Sequence, residues 1–149
     1  MASRFPLQSL LDHALHRMEA AERLLRILRR KEEAARQRLE ELHGYQRDYQ
    51  QRLAGDAGAR GMEIHLLRDY HAFLAKLDVA IAHQQSEVVQ ATVHWQSAHD
   101  NWIALRQKVK AYEALAERHR TQEQRREDKR DQRITDEQAA RRHVPKVTL

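Results

Sequence analysis

The chain contains no cysteine among its 149 residues, which excludes disulfides and thiol catalysis and fits a reducing compartment. It holds only four glycines and two prolines, so turns are scarce and long helices are expected. Aromatic residues make up 5% and charged residues 33%, with a mean hydropathy of −0.88. That much charge argues against a thick globular core. No run approaches the roughly 18 apolar residues that a membrane-spanning helix requires. The segment from Met1 to Leu28 alternates charged and apolar residues, so it lacks the apolar block of a signal peptide, and the cytoplasm is the expected location. There is no GxxxxGK[ST], GxGxxG or HExxH motif.

What remains is a regular apolar minority. Apolar residues still reach 41%, too many for a disordered tail, and with this charge content they mark long helices and coiled coils. Alternate steps of four and three residues from Leu7 visit Leu11, Ala14, Met18, Ala21, Leu25, Leu28, Glu32, Ala35, Leu39, Leu42, Gln46, Tyr49 and Leu53. Only Glu32 and Gln46 in that series are polar. A 3.5-residue period sustained this far is a coiled-coil seam with left-handed supercoiling. Pro6 stands just before it, where a proline is tolerated because its missing N–H would have had no helical partner.

Three of the four glycines fall in Ala54-Gly55-Asp56-Ala57-Gly58-Ala59-Arg60-Gly61. The period then restarts at Leu67 and runs through Tyr70, Leu74, Leu77, Ile81, Gln84, Val88, Ala91, Trp95, Ala98, Trp102, Leu105, Val109, Tyr112 and Ala116. Two seams joined by a short loop fold back on each other. The predicted architecture is all-α, a long antiparallel two-stranded coiled-coil hairpin with a projecting C-terminal helical arm. It forms one domain, with helix 1 over about 6–54, a loop over about 55–61, helix 2 over about 62–142, and a free tail at 143–149. A hinge near Gly58 sets Leu53 near Glu63 and Leu7 near Val109. Past Ala116 the seam positions become His119, Glu123, Arg126, Arg130, Arg133 and Glu137. Residues 117–142 should therefore project unpaired, about 25 residues or roughly 37 Å of helix, supported by opposite charges at i, i+3 and i, i+4 spacing. Pro145 ends this arm.

No catalytic, cofactor-binding or metal-binding residues are expected. Of the ten histidines, His13 and His16 share a face at i, i+3, His94 and His99 point apart, and no pair stands at i, i+4. A two-helix hairpin also has no interior to form a pocket. The net charge of +5 is spread thinly: residues 1–54 carry 11 basic and 8 acidic groups, 55–116 carry 6 and 7, and 117–149 carry 10 and 7. Nucleic-acid binders concentrate their positive charge on one face or arm. The informative side chains are apolar ones beside the seam: Tyr45, Phe73, Leu66, Ala80 and Leu10. Such flanking side chains stay largely in water in a two-stranded coil, so they either widen the core locally or mark a partner surface. Gly44, beside Tyr45, costs about 1 kcal/mol against alanine in a helix interior.

The chain resembles the FliJ family of flagellar type III export proteins over nearly its whole length. The resemblance is carried by Phe5-Pro6-Leu7-Gln8-Ser9-Leu10-Leu11, by the run from Leu39 to Tyr49, by Tyr70-His71-Ala72-Phe73-Leu74-Ala75-Lys76-Leu77 with Ala80-Ile81-Ala82-His83-Gln84, and by Trp102, Lys108, Glu113-Ala114-Leu115 and Glu117-Arg118. The tail Asp128-Lys129-Arg130 with Asp136-Glu137-Gln138-Ala139 also fits. The resemblance implies an antiparallel coiled coil similar to the central stalk of rotary ATPases, a narrow rod suited to a ring's pore. It implies three partners: the hexameric flagellar export ATPase, whose ring assembly it promotes, the cytoplasmic part of the export gate, and export chaperones. It places such a protein in the cytoplasm, peripherally associated with the inner-membrane export apparatus through those partners. By resemblance the gate-contacting residues are Leu42, Tyr45, Tyr49, Phe73, Leu77, Ala80 and Gln84. The ATPase-facing end is the two termini, including the arm with Arg118, Arg125, Arg126, Arg130 and Arg133. The alternatives are the stalk protein of a virulence type III secretion system, a generic coiled-coil adaptor or self-associating dimer, and a basic nucleic-acid binder.

Overall fold

Helix-favouring composition and an uninterrupted 3.5-residue period produce two helices, α1 (Gln8–Arg60, 53 residues) and α2 (Ile64–Arg142, 79 residues). The computed structural model describes residues 3–61 and 63–143, without the side chains of 57–60. The two helices run antiparallel and pack against each other, with no strand among the described residues. The predicted tail and Pro145 lie outside the described residues, apart from His143, whose N–H still donates to Ala139 O (3.2 Å). The chain divides into two compact units, Ala20–Ile103 and Met1–Glu19 with Ala104–Leu149, each taken by itself here.

In both units the seam is the one read from the sequence. All fourteen predicted positions from Leu7 to Leu53 are buried or half-buried, and so are all fifteen from Leu67 to Ala116. Leu42, Leu77 and Ile81 form a buried cluster in the first unit, flanked by Leu39, Leu74 and Ala80. In the second, Leu11, Ala14 and Val109 do the same, with Met18, Tyr112 and Ala116 around them. Among the described residues no side chain is wholly removed from water. A two-helix layer shields each apolar residue from one side, so each contributes less than the roughly 1.5–3 kcal/mol of a fully buried leucine.

The polar seam residues are all satisfied. Glu32 is only 4% exposed, and its carboxylate accepts hydrogen bonds from Arg36 Nε (2.9 Å) and Arg29 (3.4 Å). The Gln84 amide donates to Ala35 O (3.0 Å), and the Gln46 amide donates to Asp78. Among the described residues no buried polar side-chain atom lacks a partner.

Three sequence expectations are corrected. The glycine-containing segment is not a loop: α1 continues through it to Arg60. Alanines 54, 57 and 59 favour helix, an alanine Cβ at Gly55 would meet nothing within 4 Å, and an isolated glycine costs only about 1 kcal/mol. The turn sits instead at Gly61, whose φ of +63° is the left-handed conformation that ends helices and that glycine adopts without strain. The pairing therefore shifts. Val109 packs with Leu11 and Ala14 rather than near Leu7. In the first unit the pairs Gln46–Asp78, Ala35–Gln84, Tyr49–Phe73, Arg29–Trp95 and Glu22–Trp102 all have midpoints between positions 59 and 62.

The third correction follows from the second. Residues 117–123 are not part of the unpaired arm, because the N-terminal segment packs against their seam positions His119 and Glu123. The Phe5 ring lies 5.7 Å from the His119 ring, a ring nitrogen of His119 is 3.0 Å from Ser3 O, and Glu123, only 7% exposed, accepts the Ser3 N–H (3.4 Å). Glu123 thus ends the seam as a polar lock. Every residue from Asp128 to His143 is exposed, so the projecting arm starts near there.

Two outcomes test this geometry. Gly61→Ala should lower stability by about 1 kcal/mol because alanine resists a left-handed backbone, while Gly55→Ala should raise it by about 1 kcal/mol. Urea unfolding reads both, and equal effects at the two sites would mean that both glycines sit in a loop. The Ser3 N–H, aided by the charges of Arg126 and His119, holds the Glu123 carboxyl below the usual glutamate range. A depressed folded-state value means that this contact contributes fully above the ordinary glutamate range and is lost as pH falls through the lowered one. The Ser3 amide resonance should follow that titration, and Glu123→Gln should abolish it. A Ser3 resonance insensitive to acid would rule out the contact.

Candidate partner-binding surface

A coiled-coil helix hides only its seam, so recognition must use the flanking positions. Near the turn the seam and its flank are both unusually aromatic. The Phe73 ring leans on the Tyr49 ring with centroids 4.2 Å apart, and the Tyr70 ring meets Tyr49 edge-on at 6.1 Å. The Arg52 guanidinium lies 5.7 Å from the centroid of the Tyr49 ring. The Tyr70 hydroxyl donates to Asp56 (3.3 Å), and its pKa is raised by partial burial and then by that hydrogen bond. Tyr45 stands beside this cluster at 49% exposure, and with Asp48, Tyr49, Arg52 and Phe73 it lines a shallow open depression. Leu66 continues the apolar surface next to Tyr70 and Phe73.

The seven residues that the resemblance marks as gate-contacting fall into two groups. Tyr45 and Phe73 are exposed. Tyr49 is half-buried beneath Phe73, Ala80 packs against the Leu42–Leu77–Ile81 cluster, and Gln84 is committed to Ala35 O. Leu42 and Leu77 are each 7% exposed and belong to the seam, so they support the surface from beneath. Gly44 has room for a side chain: a Cβ there would meet only the Arg47 guanidinium, at 4.0 Å.

The arginines assigned to the ATPase-facing end all lie on the surface. Arg118, Arg125, Arg130 and Arg133 are exposed, and Arg126 is exposed while pairing with Glu123 (3.2 Å). Neighbouring acidic residues recur along the arm, so its charge is mixed. Among the described residues no three His, Asp or Glu side chains stand close enough to hold a metal ion, and no helix is long and apolar enough to cross a membrane.

One feature escaped the sequence reading. Trp95, His99 and Trp102 form a ladder along α2, with ring centroids 5.1 Å and 6.0 Å apart. Arg29 caps the Trp95 face at 4.8 Å, and Trp102 Nε1 donates to Glu22 (3.3 Å). The i, i+4, i+7 spacing is the available signal, and it is masked because Trp95 and Trp102 also fit the seam period.

The division between support and surface is measurable. Tyr45→Ala combined with Phe73→Ala should leave helicity intact and cost about 1–2 kcal/mol, mainly from the lost ring contact. Leu77→Ala alone should cost about 2–4 kcal/mol. If the double variant loses more stability than Leu77→Ala, the two aromatics are core residues.

Comparison with known proteins gives this surface a context. The family model described as "Flagellar FliJ protein" matches residues 3–147. The chain is 32% identical to the flagellar FliJ protein of Escherichia coli (strain K12) over 141 residues, covering 95% of each chain. It is 30% identical to the flagellar FliJ protein of Salmonella typhi, again covering 95% of each. No solved structure matches it significantly. With the match extending from the N-terminal segment through the seam and into the arm, the chain belongs to the FliJ family.

Proposed function

We propose that this protein is a non-catalytic component of flagellar type III export that binds the hexameric export ATPase, promotes assembly of its ring, and links it to the export gate and to export chaperones. The observation that carries the reading is the family match across residues 3–147. The exposed Tyr45–Phe73 surface supports a gate contact, and the fully exposed helical arm past residue 127 supports an ATPase contact through Arg130 and Arg133, with Arg118, Arg125 and Arg126 beside it. The protein needs no cofactor for this role. It works in the cytoplasm and is held at the inner membrane through its partners.

The mechanism asks only for binding energy that differs between states. A coiled coil that contacts the ATPase subunits better in the assembled hexamer shifts them toward it, by as much as that difference in affinity and no more. Surface arginines suit such exchangeable contacts, because exposed ion pairs are individually worth about 0–1 kcal/mol and are screened by salt.

The test is turnover and hexamer formation by the cognate export ATPase, with and without the protein. The full chain should raise both, and a chain ending after Glu127 should keep its helical hairpin but lose most of the stimulation. Equal stimulation by the shortened chain would exclude the arm. No effect of the full, folded chain would exclude the ATPase role and leave gate and chaperone binding.

A further inference from the structure

The end of the first unit remote from the turn has an uneven charge distribution. Residues 23–31 of α1 read Arg-Leu-Leu-Arg-Ile-Leu-Arg-Arg-Lys, five cations with no acidic residue. The stretch of α2 that runs alongside, residues 88–99, contains no Lys, Arg, Asp or Glu at all. Within that stretch α2 thus supplies these cations with no carboxylate, although Glu87, just before it, lines a shallow depression shared with Lys31. Arg29 is occupied, over Trp95 and against Glu32 and Glu33. Arg23, Arg26, Arg30 and Lys31 are exposed and make no ion pair or hydrogen bond among the described residues.

Their placement is ordered. Arg23, Arg26 and Arg30 follow one another by three and four residues, which puts them in one stripe on the outer face of α1. Beside it runs a second exposed stripe at the same spacing, Ala20, Leu24 and Ile27, with Leu24 48% and Ile27 49% exposed. An exposed apolar track on the flank of the seam thus lies against a basic one on the outer face.

We infer that this double stripe is a docking surface for an acidic amphipathic helix of a partner protein. Such a helix would lay apolar residues, one turn apart, over Leu24 and Ile27 and direct Asp or Glu side chains to Arg23, Arg26 and Arg30. The unpaired arginines supply orientation and encounter rate, and the two aliphatic residues supply the water-excluding contact. Nucleic acid fits less well, because phosphates gain nothing from Leu24 and Ile27 and because Glu19 and Glu33 bracket the arginine stripe. A membrane surface fits less well too, since an interfacial helix buries a continuous apolar face and that face of α1 is already the seam. A second copy of the chain would have to meet this basic face with a matching acidic, apolar one. The surface is separate from the aromatic patch and the arm and does not depend on the function proposed for them.

The probe is a synthetic peptide of about six helical turns, built from Leu, Ala and Glu with leucines every three and four residues. Its controls are a scrambled peptide of the same composition, a short DNA duplex, and phosphatidylglycerol vesicles. The full-length protein should bind the patterned peptide about tenfold more tightly than the scrambled one, with affinity falling as salt rises. Arg23→Glu with Arg26→Glu and Arg30→Glu should weaken binding by about tenfold or more, and Leu24→Gln with Ile27→Gln should weaken it at unchanged charge, both with wild-type helicity. Equal binding of the two peptides, tighter binding of DNA or vesicles, occlusion of the stripe by self-association, or wild-type binding by either variant would overturn the inference. The peptide comparison uses the unmodified protein and stands even if a variant folds poorly.

Discussion

Each helix of a two-stranded coil can hide only one stripe, and everything else in this molecule depends on that stripe. Seam residues recur every 3.5 positions, so two residues in seven are shielded and the other five face water. Leu42, Leu77 and Ile81 in one unit and Leu11, Ala14 and Val109 in the other form the buried clusters, and Ala21, Leu105, Glu32 and Glu123 are shielded as well. Elsewhere the seam is half-open. It tolerates the buried Glu32 because Arg29 and Arg36 reach it from the surface while their own guanidinium groups stay solvated. Replacing a buried charge of this kind with leucine often stabilises a protein, so stability alone gives Glu32 no reason to be there. A polar residue at one seam position does have a physical use, which is to penalise misaligned pairings.

The period was fully legible in the sequence, while the register was not. Apolar spacing reports which face of each helix is buried, and every seam position inferred from it is shielded. Spacing says nothing about which seam residue faces which, because a heptad pattern matches its partner equally well after a slip of one repeat. The register depends on the turn, and there the density of glycines misled. Gly55 sits inside α1, whereas Gly61, the last of the group, adopts the left-handed conformation. Helix propensity summed over the alanines outweighs single glycines, and only a positive φ demands one. The shifted register then explains why Ser3 and Phe5 reach His119 and Glu123 and why the free arm is shorter than expected.

The surface was legible only in part, for the same reason. Tyr45 and Phe73 stood out because aromatic residues beside a seam are few. The seam period already separates them from Leu42 and Leu77, which share their neighbourhood but lie beneath it. The spacing of the Trp95–His99–Trp102 ladder lies in the sequence, but its contacts with Arg29 and Glu22 emerge only when α2 is laid against α1. In a fold with no interior, function resides in how side chains of two helices combine along their flanks, and register decides those combinations.

The register can be read directly because the chain has no cysteine of its own. Gln46→Cys combined with Asp78→Cys should form an intramolecular disulfide rapidly under mild oxidation, since those side chains meet across the seam flank. Gln46→Cys combined with Tyr70→Cys, the pairing that a hinge near Gly58 would produce, should not. Rapid closure of the first pair, with retained helicity and no closure of the second, is the result expected of a hairpin turning at Gly61. Preferential closure of the second pair, or crosslinking only between chains, would contradict it.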